Sequence, residues 1–90
     1  MKVDVYDTWA TGADGGTIHF DVLLESNKHE DAAGTAYRWA KDYLASINAS
    51  DAKLEQRECA FCHQENARPN VAADVERQGY HIIPMEGCPR

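Results

Sequence analysis

The three cysteines of the chain lie in two short segments whose residue types suit thiol or metal chemistry. Cys59 and Cys62 form a Cys-x-x-Cys pair that is followed directly by His63, and Cys88 lies near the end of the chain. Two-residue spacing lets both sulfurs reach one ion, and a distant third ligand is common in zinc sites. The pattern predicts a tetrahedral zinc site formed by Cys59, Cys62, Cys88 and one histidine. Because the adjacent Cys62 and His63 cannot easily bind the same ion, His81 or a water would take the fourth position.

Three other interpretations of these residues stay open. A Cys-x-x-Cys pair is also typical of a redox-active thiol site, although such a pair usually opens a helix directly. Cys-x-x-Cys-His is the signature of covalent haem attachment, with Met85 available as an axial ligand. That chemistry requires export, and the chain begins with a strand-like pattern in place of a signal peptide's apolar stretch. In the last interpretation, the cysteines are small apolar side chains packed at a sheet edge.

Composition and charge restrict the class of protein. The chain has 90 residues, of which 43% are hydrophobic and 27% charged, so we expect a single globular domain over residues 1–90. The net charge of −6 disfavours nucleic acid and anionic membranes as partners. No apolar run approaches the roughly 18 residues of a membrane span. We expect a cytoplasmic location, where cysteines stay reduced.

Two alternating segments, 2–10 and 17–25, flank a glycine-rich turn and predict an antiparallel hairpin. A register that gathers the apolar residues on one face forms four pairs: Trp9 with Ile18, Asp7 with Phe20, Val5 with Val22, and Val3 with Leu24. This register predicts one apolar face and one polar face.

Within this hairpin, Asp7 is a carboxylate on the predicted apolar face, while His19 and Asp21 lie on the opposite face with Tyr6. Asp7 is either a general base or ligand with a shifted pKa, or a strand-end carboxylate that accepts backbone hydrogen bonds. The second interpretation is favoured because burial without a partner is costly. For His19 and Asp21, a solvated sheet face is favoured over a catalytic cluster, since residues i and i+2 share a face in any strand.

The remaining elements complete an α+β domain in the order β-β-α-β-α-β. Helical spacing, turn residues and an apolar run predict four further elements: a helix over 29–48, a strand over 54–59, a helix over 67–78 and a strand over 80–85. We predict a two-layer sandwich of a small mixed four-stranded sheet and two helices. Strands 54–59 and 80–85 should be parallel neighbours joined by a right-handed crossover. Their carboxyl ends would bring all three cysteines to one sheet edge.

Several motifs resemble one known family. The motifs are Val5-Tyr6-Asp7-Thr8, His19-Phe20-Asp21-Val22, Glu58-Cys59-Ala60-Phe61-Cys62-His63, Gly79-Tyr80-x-Ile82-Ile83 and Met85-Glu86-Gly87-Cys88. Over essentially its whole length the chain resembles the small bacterial family called domain of unknown function 2024. The resemblance implies a compact bacterial single-domain protein of about this length, and it implies no activity.

Two functional classes follow from these observations. One is a binding module whose metal or thiol site is structural or sensory, with zinc as its expected cofactor. The other is a small thiol-dependent enzyme or redox protein in which His63 carries a proton beside a cysteine thiolate. We favour the module, because no nucleophile, base and orienting group can be assembled from the sequence. A purely structural or interaction domain is the third alternative, and an exposed sheet edge predicts a homodimer.

Overall fold

A four-stranded sheet with one helix on each face forms the protein. The computed structural model describes residues 1–89. Its elements are β1 (Lys2–Thr11), β2 (Thr17–Glu25), α1 (Ala32–Ser46), a 3₁₀ turn (Gln56–Glu58), β3 (Cys59–Asn66), α2 (Pro69–Gln78) and β4 (Tyr80–Pro84). The predicted α+β class, element order, four strands and two helices are confirmed. No helix within these residues is long and apolar enough to cross a membrane.

The strands lie in the order β3-β1-β2-β4, and every neighbouring pair is antiparallel. The predicted mixed sheet with parallel neighbours 54–59 and 80–85 is therefore wrong. The third strand begins only at Cys59, and it pairs with β1, whereas β4 pairs with β2. The hairpin offers two free edges, and each later strand occupies one of them. The two strands that were expected to converge lie on opposite edges and run in opposite directions.

The hairpin register differs by one residue from the predicted register. The observed pairs include Val3 with Glu25, Val5 with Leu23, Asp7 with Asp21, Thr8 with Phe20 and Trp9 with His19. The physical reason is the turn that joins Thr11 to Thr17. The Gly12 amide donates to the Gly16 carbonyl at 2.8 Å, and Asp14 Oδ1 accepts from the Gly16 amide at 2.9 Å. A shift of one residue in the pairing moves every side chain of one strand to the opposite face of the sheet, relative to the side chains of the other strand.

Because of this register, both faces of the hairpin are apolar over part of their length. One core lies beneath α1 and contains Tyr6, Ala10, Ile18, Phe20, Val22, Leu24, Ala36, Ala40, Leu44, Leu54 and Cys59. A second core lies beneath α2 and contains Val3, Val5, Leu23, Val71 and Val75. Odd and even residues of β1 belong to different cores, so the sheet lies between the helices in place of the predicted two-layer arrangement.

Local sequence signals account for where each helix begins and ends. Asp31 precedes α1, and its Oδ1 accepts a hydrogen bond from the Gly34 amide nitrogen at 3.0 Å. Pro69 opens α2, which ends at Gly79 with φ of 99° in the left-handed region. Helix α2 is short, and it covers only the end of the sheet face that carries the second core. At the other end of that face, Trp9 remains 43% exposed.

The segment after β4 continues along β2 and is held there by backbone hydrogen bonds. The Met85 amide donates to the His19 carbonyl at 3.0 Å, and the His19 amide donates to the Glu86 carbonyl at 2.8 Å. Gly87 then turns the chain with φ of 74°, and a Cβ at this position would collide with the Thr17 carbonyl oxygen. Gly87 is therefore required both by its conformation and by the close approach of a central strand.

We expect Gly87→Ala to lower the free energy of unfolding more than Gly15→Ala. Gly15 has a similar φ of 85°, but a Cβ added there would have nothing within 4 Å, so alanine costs about 1–2 kcal/mol for the left-handed conformation alone. Gly87→Ala should cost about 1–3 kcal/mol more, because the strand carbonyl cannot move aside without breaking the sheet. Urea unfolding of both variants measures the difference, and equal losses would contradict the steric role.

Candidate functional site

Asp7, His19 and Asp21 converge on one face of the two central strands. Asp7 lies directly opposite Asp21, and His19 precedes Asp21 by two residues on the same face. One ligating atom from each side chain lies within 4.8 Å of the others. The predicted register had placed Asp7 on the face opposite to His19 and Asp21, and the one-residue correction unites them. The solvated-face interpretation of His19 and Asp21 is therefore replaced by a hydrogen-bonded cluster.

Asp7 is the hydrogen-bonding centre of this cluster. Its Oδ1 lies 2.6 Å from His19 Nε2, and its Oδ2 accepts from Trp9 Nε1 at 2.7 Å. The Trp9 ring also stacks on the His19 ring, with centroids 3.6 Å apart and an interplanar angle of 12°. As a result the His19 side chain is only 17% exposed, whereas Asp7 remains 37% exposed. The carboxylate and the indole together fix the imidazole ring in place.

Asp21 is less well satisfied than its neighbours. Its Oδ1 is the one buried side-chain oxygen within residues 1–89 that has no hydrogen-bond partner. Burial raises the pKa of Asp21 to about 6, and Asp7 acts in the same direction, while His19 and His63 oppose the shift. A buried acceptor without a donor is costly. The position therefore favours a proton or a cation on this carboxylate.

The two carboxylates have opposite pKa shifts. Burial raises the pKa of Asp7, but hydrogen bonds from His19, Trp9 and Asp21 outweigh burial and hold that pKa below its ordinary value. Near neutral pH, Asp7 is the anion and Asp21 is the group that can carry a proton. Two carboxyl groups with separated pKa values on one surface are typical of acid–base or cation-binding sites.

The three cysteines do not share a site. Cys59 is buried in the core beneath α1, where its sulfur accepts from Thr8 Oγ1 at 3.3 Å, and burial raises the pKa of this thiol. Cys62 is exposed on the β3 edge, and Cys88 follows β4 and donates to the His19 carbonyl at 3.4 Å. Asp7, His19 and Asp21 are the ligating group found within residues 1–89, and no cysteine belongs to it. The predicted convergence of the cysteines depended on parallel strands that do not form.

The two histidines that were predicted as zinc ligands contact carboxylates. His81 Nδ1 lies 2.7 Å from Asp74 Oδ2 and so connects β4 to α2. Asp74 also accepts from Arg77 at 2.9 Å, and both hydrogen bonds lower the pKa of Asp74. His63 pairs with Val5 across the β1–β3 ladder and lies 2.8 Å from Glu65. His63 also opposes the upward shift in the pKa of Asp21.

Sequence reasoning named all three members of the cluster but missed Trp9, which orients Asp7. The available signal was the spacing: Asp7 and Trp9 on one strand, and His19 and Asp21 on the other, are each separated by one residue. Two such pairs face each other only when the turn between the strands has an odd number of residues. Assigning Thr11 and Thr17 as the last ladder pair would have revealed the cluster.

Comparisons with known proteins give a family match and a structural match. The family described as "Domain of unknown function (DUF2024)" matches residues 1–85. The chain is also similar to the NMR structure of protein NE1680 from Nitrosomonas europaea, with 37% sequence identity and a TM-score of 0.83. That match covers 99% of this chain and 100% of the other. No curated protein sequence matches the chain.

We expect Asp21→Asn to remove a pH dependence of stability between about pH 4 and pH 7. The folded-state pKa of about 6 lies above the unfolded value of about 3.9. The protonated form therefore stabilises the fold fully below the unfolded value, and this contribution is lost as pH rises through 6. After allowance for solvent screening, the loss is on the order of 1 kcal/mol.

Urea unfolding at several pH values, in buffer that contains a chelator, measures this effect. The control is Asp51→Asn, which removes an exposed carboxylate and should keep the pH dependence of the unmodified protein. The lowered pKa of Asp7 acts with the opposite sign and in more acidic solution, where its contribution is lost as pH falls. Parallel curves for Asp21→Asn and the unmodified protein would contradict the assignment.

Proposed function

The chain belongs to the family described as domain of unknown function 2024, as its motifs indicated, and we propose that it is a small binding module for a divalent transition-metal cation. Zinc is the preferred ion. The proposed ligands are Asp7, His19 and Asp21, which take the place of the cysteines in the metal site expected from the sequence. Imidazole nitrogen and carboxylate oxygen are both ordinary zinc ligands, and three protein ligands leave a position for water.

The observation that carries this proposal is the unpartnered oxygen of Asp21 beside two further ligating groups. Asp21 Oδ1 is buried without a donor, and the three side chains present ligating atoms within 4.8 Å of one another. A divalent cation would give this oxygen a partner and would offset the repulsion between two carboxylates on opposed strands. Neither gain is available to three groups that merely occupy a solvated surface.

The positions of the three groups require only a small adjustment to accept an ion. At present Asp7 Oδ1 and His19 Nε2 are 2.6 Å apart, as a hydrogen-bonded pair. Two ligands of one tetrahedral zinc ion lie roughly 3.3 Å apart, given metal–ligand distances near 2.0 Å. Loss of the shared proton and a further separation of these two atoms by roughly 0.7 Å would therefore fit them to one ion.

The surroundings also suit a metal site. Trp9 donates to the second oxygen of Asp7 and orients it, as outer hydrogen-bond partners of metal ligands commonly do. All three proposed ligands lie on the two central strands, where the backbone is paired on both sides.

We expect chelator-treated protein to bind one zinc ion, and Asp21→Asn to weaken that binding at least tenfold because it removes an anionic ligand. Titration calorimetry with zinc chloride measures the affinity and the stoichiometry. At a zinc concentration 100 times the Kd, thermal unfolding should show a stabilisation of about 2.7 kcal/mol. Manganese chloride in the same titration tests whether oxygen-preferring ions compete.

Two controls separate this site from general charge and from thiols. Asp51→Asn makes the same charge change on an exposed residue and should retain full affinity, as should Cys62→Ser, which removes the exposed thiol. If Cys62→Ser abolishes binding while Asp21→Asn leaves it intact, the metal is held elsewhere. If no stoichiometric binding is found, the proposed function is wrong.

A further inference from the structure

A second group of side chains with possible chemistry lies on β3 and shares no residue with the proposed metal site. Val5 pairs with His63 and Tyr6 pairs with Phe61, so Cys62 is an extra residue in the ladder, at a β-bulge. Bulges redirect side chains, and they are over-represented at sheet edges and beside functional sites. β3 is an edge strand, and Cys62 is the exposed member of the three free thiols. The irregularity therefore presents one thiol to solvent.

His63 connects this thiol to a carboxylate. Its Nδ1 lies 3.3 Å from Cys62 Sγ, and its Nε2 lies 2.8 Å from Glu65 Oε1. A carboxylate on Nε2 favours the tautomer with the proton on that nitrogen, which leaves Nδ1 free to accept the thiol proton. The hydrogen bonds thus connect a nucleophile, Cys62, to a base, His63, and the base to an orienting group, Glu65. The sequence alone did not reveal it, because the bulge determines which of these side chains meet.

The other two thiols lack such an arrangement. Cys59 is buried, its sulfur accepts a hydrogen bond from Thr8, and burial raises its pKa. Cys88 is half-buried, its sulfur donates to the carbonyl oxygens of His19 at 3.4 Å and Glu86 at 3.7 Å, and it also interacts with the Tyr43 side chain. Burial therefore favours the neutral, unreactive form of the Cys59 thiol, and the described contacts of Cys88 include no histidine side chain or other base. Exposure and a neighbouring base distinguish Cys62 from both.

We propose that Cys62 is a peroxide-reactive thiol that undergoes reversible oxidation, with His63 as its base and Glu65 as a positioning residue. Cys62 is exposed to solvent, and oxidation of an accessible thiolate to sulfenic acid, here by a hydroperoxide, is the first step of cysteine oxidation. This inference does not depend on metal binding, since it involves none of the proposed ligands.

The reaction is a two-electron transfer. His63 Nδ1 takes the thiol proton, and the thiolate attacks one oxygen of the hydroperoxide, so that an S–O bond forms as the O–O bond breaks. The departing alkoxide or hydroxide takes the proton from His63 and leaves as alcohol or water. The sulfur is oxidised to sulfenic acid and the peroxide is reduced. A low-molecular-weight thiol then condenses with the sulfenic acid, which releases water and forms a mixed disulfide, and a second equivalent of that thiol restores Cys62.

In the test, the chelator-treated protein is exposed to hydrogen peroxide, and sulfenic acid is then measured at each cysteine. Dimedone traps the sulfenic acid, and peptide mapping by mass spectrometry assigns the site and rate. We expect labelling at Cys62 first. His63→Gln should slow that labelling about 100-fold, the lower end of what a general base contributes. Glu65→Gln should slow it less, and Glu76→Gln, an exposed carboxylate on α2, should leave it unchanged.

Two further measurements separate this mechanism from simple exposure. A peptide of residues 58–66 keeps the sequence but lacks the sheet, and it should react more slowly than the folded protein. The thermal unfolding of His63→Gln should match that of the unmodified protein, so that its slower labelling reports loss of the base and not loss of the fold. Equal rates for peptide and protein, or an unaltered rate in His63→Gln, would overturn the proposal.

Discussion

The length of the turn between β1 and β2 is the constraint on which the rest of the structure depends. Side chains alternate across a strand with a period of two, so the pairing of Thr11 with Thr17 assigns every residue of the hairpin to a face. That single assignment creates a core on each side of the sheet, and the two helices are divided between them. It also places Asp7 beside Asp21. A turn shorter by one residue would have separated these carboxylates and gathered the apolar residues on one side only.

The two candidate groups occupy different mechanical environments. Asp7, His19 and Asp21 lie on central strands, where neighbouring strands and a stacked indole restrict their movement. Such restriction suits a site whose ligating groups must be held within about 0.5 Å of their working positions. Cys62 lies on an edge strand at a bulge, where access for a reactant is greater. The fold thus provides one rigid candidate site on the central strands β1 and β2. It provides one accessible candidate site on β3, the edge strand that pairs with β1.

Much of the fold could be predicted from local sequence, because the signals were local. Alternation marked β1 and β2, while Pro69 and Gly79 marked the ends of α2. β3 could not be placed correctly, because seven of its eight residues are exposed and carry no apolar alternation. Its pairing with β1 is a long-range contact that follows from which edge of the hairpin is free. The parallel arrangement was wrong for that reason.

The candidate site likewise combines residues that local sequence identifies with an arrangement that depends on strand pairing. Asp7, His19 and Asp21 could each be named from residue type, but their meeting depends on the register, and the register depends on hydrogen bonds within a glycine-rich turn. The Cys62 group was missed for an analogous reason, since a bulge of one residue determines its geometry. In both cases a shift of one residue in the strand pairing decides whether the side chains lie together or on different faces. Sequence patterns of period two cannot resolve such an offset when both faces of a hairpin carry apolar residues.

The polar cluster also has a consequence for folding specificity. A hairpin that closed with the alternative pairing would place Asp7 against Phe20 and would move His19 to the other face, so that the Asp7 charge would lose its imidazole partner. The desolvation of an unpaired carboxylate in a low-dielectric interior costs several kcal/mol by general estimates. Slipped conformers are therefore penalised when a helix docks on that face and removes the carboxylate from water. The residues that give the surface its chemistry thereby help to select the native hairpin from its nearest competitor.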